Sequence, residues 1–573
     1  MTKRNRAAAK PARRASAPHA ESAERGYSLA PAGEARPRAW AAFWPGALLA
    51  LALLVPFLGK AHTIDDVTFL LQAQHCVRDP LHPTAFDIVA DGHRIRLSSA
   101  LVSGPVMAYL LVPAVLLGGA EWAAHLVQLL LVLAAVLATV AIGLRMGLRT
   151  AEARVAGLLL AGTPAATAMA STSMADVPSM AFGVLGIERL LCWRDEHRWH
   201  QALAAGLALA LAALARPQML LLAALAPLAW YGRPQPGSPG RNGWRIGLAP
   251  ALAAALFLLV SRLTADPALP RGDSVSAALA RLQWDDLPGK LSQFSAHWTL
   301  ALPLALPWWL ARWRRMPRDP LLWAVVAIGA FVFLGSGGPP LAVALAPLAL
   351  LGLVALADVL ADALRRRDRD QMLLGAWLLL ALPTFGYFHV PAKYLVPSAP
   401  AVALLVARLL RRRDGRLAPA VAWGVVAAGA VLSVLVMAAD AEFADVGRRA
   451  ARELIAPRVR AGQRVWYGGG WGFQWYAMQA GAMVLASTPP YPEPGDLVVT
   501  SDVTPGARVG TAFLDSLSSR RVRSRFGRIY SPADGAAFYA PELGVLPWTW
   551  HNGQIEDVKV WRMRSVAAGP RIR

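Results

Sequence analysis

Residues 121–185 read EWAAHLVQLLLVLAAVLATVAIGLRMGLRTAEARVAGLLLAGTPAATAMASTSMADVPSMAFGVL. Two apolar runs flank the arginine-bearing connection MGLRTAEAR, and a third begins after the polar turn STSMAD. The runs are apolar on all sides, so they lack the polar face that a water-exposed helix needs. A helix of about 20 apolar residues crosses a hydrocarbon core of about 30 Å. The stretch therefore predicts consecutive membrane helices on short loops, with Asp176 at the mouth of one of them.

The same texture covers most of the chain. Of its 573 residues, 56% are hydrophobic and 16% charged, and the mean hydropathy is +0.40. About thirteen apolar blocks of about 15 to 22 residues precede residue 440. They begin near Ala41, Trp122, Val155, Val177, Gln201, Pro217, Ile246, Trp298, Pro320, Pro340, Gln371, Leu395 and Pro419. The expected fold class is an all-α polytopic membrane domain over residues 40–439, with about 13 transmembrane helices and an outer loop at 60–100. Residues 1–39 read as a disordered basic tail, and residues 440–573 as a small α/β domain. In that last part, residues 444–456 suit an amphipathic helix and QRVWY (463–467) and DLVVT (496–500) suit strands, with GGGWGFQWY linking them. No repeat of fixed period is visible.

The formal charge of +22 does not read as a nucleic-acid footprint, because the basic residues follow the loops rather than one patch. With the tail (Lys3, Arg4, Arg6, Lys10, Arg13, Arg14) placed in the cytoplasm, the cytoplasmic loops become MGLRTAEAR, WRDEHRWH, YGRPQPGSPGRNGWR, ARWRRMPRD, RRRDRD and RRRDGR. The opposite set, STSMAD, the Arg216-Pro217 junction, GSGGPP and YFHVPAK, is nearly free of positive charge. The expected location is the cytoplasmic (inner) membrane, with the C-terminal domain outside. Two loops on that outer side are long, 60–100 and 264–297, the second holding Trp284, Asp285 and Asp286. SGPVMAYLLVPAVLLGG is interrupted by Pro105 and Pro113 and reads as interfacial rather than spanning; a crossing there would invert everything after it. The flank GKAH is a weak processing site, so the first span reads as an anchor. Cys76 and Cys192 fall on opposite sides, which predicts no disulfide between them.

HTIDDVTFL (62–70) sets Asp65 and Asp66 just past the first span, and Asp176 lies at a second outer helix mouth. The plain alternative for all three is a helix cap or a wet loop acid. Arg216 in ALARPQMLLL and Lys393 in FHVPAKYLVP, with Tyr394 beside it, lie at outer helix ends, where snorkelling is the plain alternative. Acids and cations meeting at one membrane face suit a substrate with a phosphate in the headgroup layer and a hydroxyl to be deprotonated.

The acidic pair after the first span, SMADVPSMAF, ALAALARPQMLLL and AKYLVPSAP together resemble the GT-C glycosyltransferases, and 121–185 is the best-matching run. More narrowly, the chain is similar to the protein mannosyltransferase and aminoarabinose transferase group and its bacterial relatives. The resemblance implies a polyprenyl-phosphate-linked sugar as donor and a glycan, lipid or protein as acceptor, with transfer inverting at the sugar carbon. It maps Asp65 or Asp66 onto the catalytic base and Asp176 onto a second, supporting acid. Arg216 and Lys393 map near the lipid phosphate with Tyr394 alongside, and His82 of LHPTAF is the nearest counterpart of the family's His-Pro-Pro element. GGGWGFQWYAMQAG resembles the outer tail of some bacterial members.

His62, His75, His82 and His93 share the first outer loop, but their spacing matches no tight ligand motif. No cofactor is expected with certainty; a divalent metal stays open, with His62 and Asp65/Asp66 as the first set. Two rivals remain: a transporter or flippase of a lipid-linked or anionic substrate, and a non-catalytic envelope assembly protein.

Overall fold

The computed structural model describes residues 36–564 apart from 101–102, 231–244, 269–283, 286, 313–322, 324–326, 328–339, 388–389, 411–417, 532–534, 540–545 and 551–552. Nearly all of the basic tail, the middle of the 264–297 loop with Asp286, most of the block begun at Pro320, and most of the loops YGRPQPGSPGRNGWR and RRRDGR lie outside the described residues.

Among the described residues, five helices are long and apolar enough to cross a membrane: Trp40–Phe57, Glu121–Arg145, Arg245–Leu263, Ala392–Leu409 and Pro419–Arg460. A sixth crossing results if Thr150–Ala161 and Pro164–Ala170, bent by 54°, count as one. Other blocks form shorter helices, among them Val106–Leu116, Trp199–Ala215 and Pro217–Ala229. Proline accounts for the shortening at 164 and 217, since it lacks an N–H and its ring clashes with the preceding turn. The eleven-residue helix Val106–Leu116 rises about 16 Å, too little to cross a core of about 30 Å.

The bundle has two chemically different ends. The helices Glu121–Arg145 and Asp176–Glu196 both finish at one end, where Arg145 lies 3.3 Å from Asp195 and 3.1 Å from Glu196. Arg408 pairs there with Asp368 at 3.4 Å and Asp370 at 3.3 Å. At the other end lie Glu121, Asp176 and the first loop. That loop carries the helix Asp66–Arg78 and an antiparallel hairpin, β1 (Asp87–Ala90) and β2 (His93–Arg96), strands that the all-helical expectation for this region did not include.

The expected boundary at residue 440 falls inside a continuous helix, Pro419–Ala450, which a wider turn at Ala451–Ile455 carries on to Arg460. Beyond it stand β3 (Val465–Gly468), β4 (Met483–Val484), β5 (Leu497–Ser501), β6 (Leu514–Arg523), β7 (Tyr530–Ser531), β8 (Ala536–Ala537) and β9 (Gln554–Met563). Five of them form one mixed sheet in the order β4-β3-β5-β9-β6, parallel on one side of β5 and antiparallel on the other. The runs QRVWY and DLVVT do become strands, each starting a residue or two late. GGGWGFQWY, expected as a link, contributes the helix Trp471–Gln479.

Glycine explains how this helix reaches the membrane domain. A Cβ on Gly472 would lie 2.1 Å from the carbonyl oxygen of His62, so the two backbones touch. Backbone cannot swing aside as a side chain can, and Gly472→Ala is therefore expected to destabilise the protein by about 1–3 kcal/mol. Thermal unfolding of the detergent-purified chain measures this as a lowered Tm.

Candidate functional site: paired acids and cations around Tyr394

The turn that delivers the two adjacent carboxylates is strained. Ile64 adopts φ +45°, a left-handed conformation that a β-branched residue avoids, at a cost of about 1–3 kcal/mol. His62 anchors the approach to this turn, its N–H donating to Tyr476 Oη at 2.9 Å. Past Ile64 the neighbours Asp65 and Asp66 part company. The Asp65 side chain, 42% exposed, accepts from Lys393 Nζ at 2.7 Å. Asp66 is fully buried, and its two oxygens accept from the Thr63 N–H at 2.8 Å and the Ser173 N–H at 2.6 Å.

Neither Asp65 nor Asp176 is spent on capping. Asp65 is the N-cap of Asp66–Arg78 but its side chain makes no cap hydrogen bond, and Asp176 is the first residue of its helix, after an alanine cap. Asp176, 1% exposed, accepts instead from Arg216 Nη2 at 2.8 Å. Arg216 can face it because Pro217 ends the helix Trp199–Ala215 there, leaving Arg216 in an extended conformation. Lys393 sits on the 3₁₀ turn Ala392–Ser398, which follows Pro391.

Tyr394 joins the two ion pairs. The Arg216 guanidinium lies 5.0 Å from its ring centroid and Lys393 Nζ 5.8 Å, both within cation–π range. Arg216 also interacts electrostatically with Asp65. Five of the residues singled out from the sequence, Asp65, Asp176, Arg216, Lys393 and Tyr394, thus meet in one cluster with two acids, two cations and an aromatic ring.

His82 is not brought to this cluster. The helix Asp66–Arg78 carries the chain about 20 Å from Asp65, and His82 Nδ1 pairs with Asp79 at 3.0 Å. Asp66 lies directly behind the cluster, its pKa pushed up to about 7 by burial, with the Lys60 charge and the two backbone N–H groups opposing the rise. A carboxyl at that value could serve as a base at neutral pH, but a base must reach the proton it removes, and Asp66 has no exposed surface. Of the adjacent pair, Asp65 alone is open to a substrate.

Sequence reasoning missed a buried network next to Asp66. Lys60 Nζ donates to the Ser171 carbonyl at 2.8 Å and to Asp440, and Tyr539 Oη donates to Asp440 at 2.7 Å. Lys60 and Asp440 have fully buried side chains. The available signal was the pair of acids, Asp440 and Glu442, inside the otherwise apolar text LVMAADAEF (435–443). A cavity of about 850 Å³ separates the first loop from the C-terminal sheet, lined by Gln74, Arg78, Arg94, Tyr467 and Gln474 among others. No member of the five-residue cluster lines it.

No protein-family model matches the chain, and no curated protein matches it. Solved structures similar to it include an oligosaccharyltransferase, AglB from Archaeoglobus fulgidus, in complex with an inhibitory peptide and a dolichol-phosphate: 14% identity, TM-score 0.45, covering 78% of this chain and 64% of that one. The chain therefore spans less than two thirds of that enzyme's length. Another is ArnT from Cupriavidus metallidurans bound to undecaprenyl phosphate: 15% identity, TM-score 0.38, covering 82% and 94%. A third is the S. cerevisiae protein O-mannosyltransferase Pmt1-Pmt2 complex bound to its sugar donor: 15% identity, TM-score 0.30, covering 43% and 36%. The chain is thus similar to an oligosaccharyltransferase, to ArnT and to a protein O-mannosyltransferase, each with a TM-score below 0.5.

Proposed function

We propose that the protein is an inverting glycosyltransferase that moves a sugar from a polyprenyl-phosphate donor to an acceptor hydroxyl at the outer face of the cytoplasmic membrane. The observation that carries this reading is the double ion pair around Tyr394: a partly exposed carboxylate beside two buried-side cations. The arginine-rich connections at the opposite end of the bundle support placing this end outside.

Each group has a role that its surroundings fit. A donor phosphate competes with Asp65 for Lys393 and adds its charge to the field of Arg216, which Asp176 holds in place. As Lys393 shifts towards the phosphate, the Asp65 carboxylate becomes the more basic and takes up the acceptor proton. The acceptor oxygen then bonds to the sugar carbon from the face opposite the phosphate as the carbon–phosphate oxygen bond breaks. The polyprenyl phosphate leaves with the bonding pair, and the two cations stabilise its charge. Tyr394 keeps both cations on one side of the site. A carrier would hold its acids deep within helices and reach them from both sides; Asp65 and Asp176 lie at helix mouths on one end. The acceptor class, protein, lipid or glycan, is set by surfaces beyond this cluster.

Lys393→Met separates binding from folding, since the partner left behind, Asp65, is partly solvated. A hydrogen bond between charged groups contributes about 1.5–3 kcal/mol, so the donor KM is expected to rise about 10- to 100-fold, with Tm nearly unchanged. Steady-state transfer assays of the purified protein with radiolabelled polyprenyl-phosphate sugars check this. A purified, folded protein that transfers no sugar from any such donor to envelope acceptors would overturn the reading.

A further inference from the structure

We propose that His62, His125 and Asp66 form a buried binding site for one divalent transition-metal ion of the zinc type. One ligand atom from each residue lies within 4.8 Å of the others, and all three side chains are buried. Zinc bonds of about 2.0–2.1 Å at tetrahedral angles bring ligand atoms to about 3.3 Å apart, so small side-chain rotations close the set.

The protonation of both rings is fixed by their surroundings. His62 Nε2 lies 3.1 Å from the Gly119 carbonyl oxygen, and His125 Nδ1 lies 2.9 Å from that of Leu58. A carbonyl oxygen only accepts, so each of these nitrogens carries the hydrogen, and the neutral ring has a bare lone pair on its other nitrogen. Those other nitrogens, His62 Nδ1 and His125 Nε2, are buried without a hydrogen-bond partner. Two orphaned acceptors beside a carboxylate are unfavourable as they stand, and a cation satisfies all three together. The outward N–H bonds to backbone carbonyls are also what orients metal-binding imidazoles in known sites.

The donor set selects the ion. Two imidazoles and one carboxylate suit zinc and its neighbours, whereas magnesium and calcium favour all-oxygen sets. Each Asp66 oxygen already accepts one backbone N–H and keeps a second lone pair. The positive charge of nearby Lys60 is matched by Asp440. The metal's place in the fold defines its role. His62 and Asp66 bracket the strained Ile64 turn that presents Asp65, while His125 lies in the first turn and a half of the span Glu121–Arg145. An ion there ties the turn to the membrane helix, and the inference stands whether or not the protein transfers sugar.

The test uses the full-length chain in detergent, free of any affinity tag. Metal content by mass spectrometry is expected to give about one zinc per chain, retained through dialysis, and the stripped protein is expected to bind Co2+ with visible absorption that Zn2+ abolishes. His125→Gln and His62→Gln should each lose the zinc and the cobalt absorption, and added Zn2+ should raise the Tm of the wild type alone. If the variants do not fold, the cobalt titration of the wild type still decides. Folded wild type that takes up neither ion, its lone pairs met by a buried water, overturns the proposal, as does metal retained undiminished by both folded variants.

Discussion

Asp65→Asn is expected to lower the rate of sugar transfer by about 10²- to 10⁴-fold, the usual contribution of a positioned proton acceptor. Asparagine keeps the shape and can still accept a hydrogen bond from Lys393, but it cannot take a proton. The donor KM should not rise, because the phosphate no longer competes with a carboxylate for Lys393, so the loss appears in kcat. Asp65 is partly exposed but Lys393 is buried, so the variant should also unfold at a somewhat lower temperature, and its rate is compared at equal amounts of folded protein. Asp66→Asn separates the neighbours. It removes a charge from a residue with both oxygens on backbone N–H groups, so its effect should fall on stability, and the folded fraction should still transfer. Rates normalised to folded protein distinguish the two.

The largest effect on stability is expected at Asp440. Its alanine variant leaves the Lys60 ammonium fully buried without its carboxylate, and the Tyr539 hydroxyl without its acceptor. Breaking a buried ion pair from one side costs about 3–5 kcal/mol, a large part of the 5–15 kcal/mol that separates folded from unfolded states in typical proteins. Asp440→Ala should accordingly fail to accumulate, or unfold at a much lower temperature. The pair itself need not stabilise: a Lys60→Met, Asp440→Leu double variant removes both charges and should recover most of the loss, a strongly non-additive cycle. Thermal unfolding and protein yield of the two single variants and the double variant measure it. If the singles are mild and simply add, the network is not as tightly coupled as its geometry indicates.

What could be read from the sequence follows from the range over which each signal acts. Apolar runs and arginine-rich loops are local, and they led directly to membrane helices with a polar mouth at Asp176. Span lengths were less legible, because Pro164 breaks a helix inside a block that hydropathy reads as continuous. Asp65, Asp176, Arg216, Lys393 and Tyr394 could be picked out one at a time, each as an odd polar residue at a helix end. Their pairing could not, since Lys393 and Asp65 are 328 positions apart and nothing local links them. The different fates of Asp65 and Asp66 were equally hidden: they depend on the Ile64 turn and on the Ser173 N–H, which belongs to another element. Asp440 is visible as an acid in an apolar helix, but its partners are not, because Lys60 and Tyr539 come from opposite ends of the chain. His62 and an acid of the adjacent pair could be proposed as metal ligands from the first loop, whereas His125 lies across the next connection, at the start of a long apolar span.

The most direct test of the mechanism is single-turnover transfer in proteoliposomes, with a radiolabelled polyprenyl-phosphate sugar and an envelope extract as acceptor, comparing wild type with Asp65→Asn at equal amounts of folded protein. The double ion pair around Tyr394 predicts labelled product of inverted configuration from the wild type and at least about 100-fold slower formation by the variant. Transfer by Asp65→Asn at the wild-type rate would contradict it.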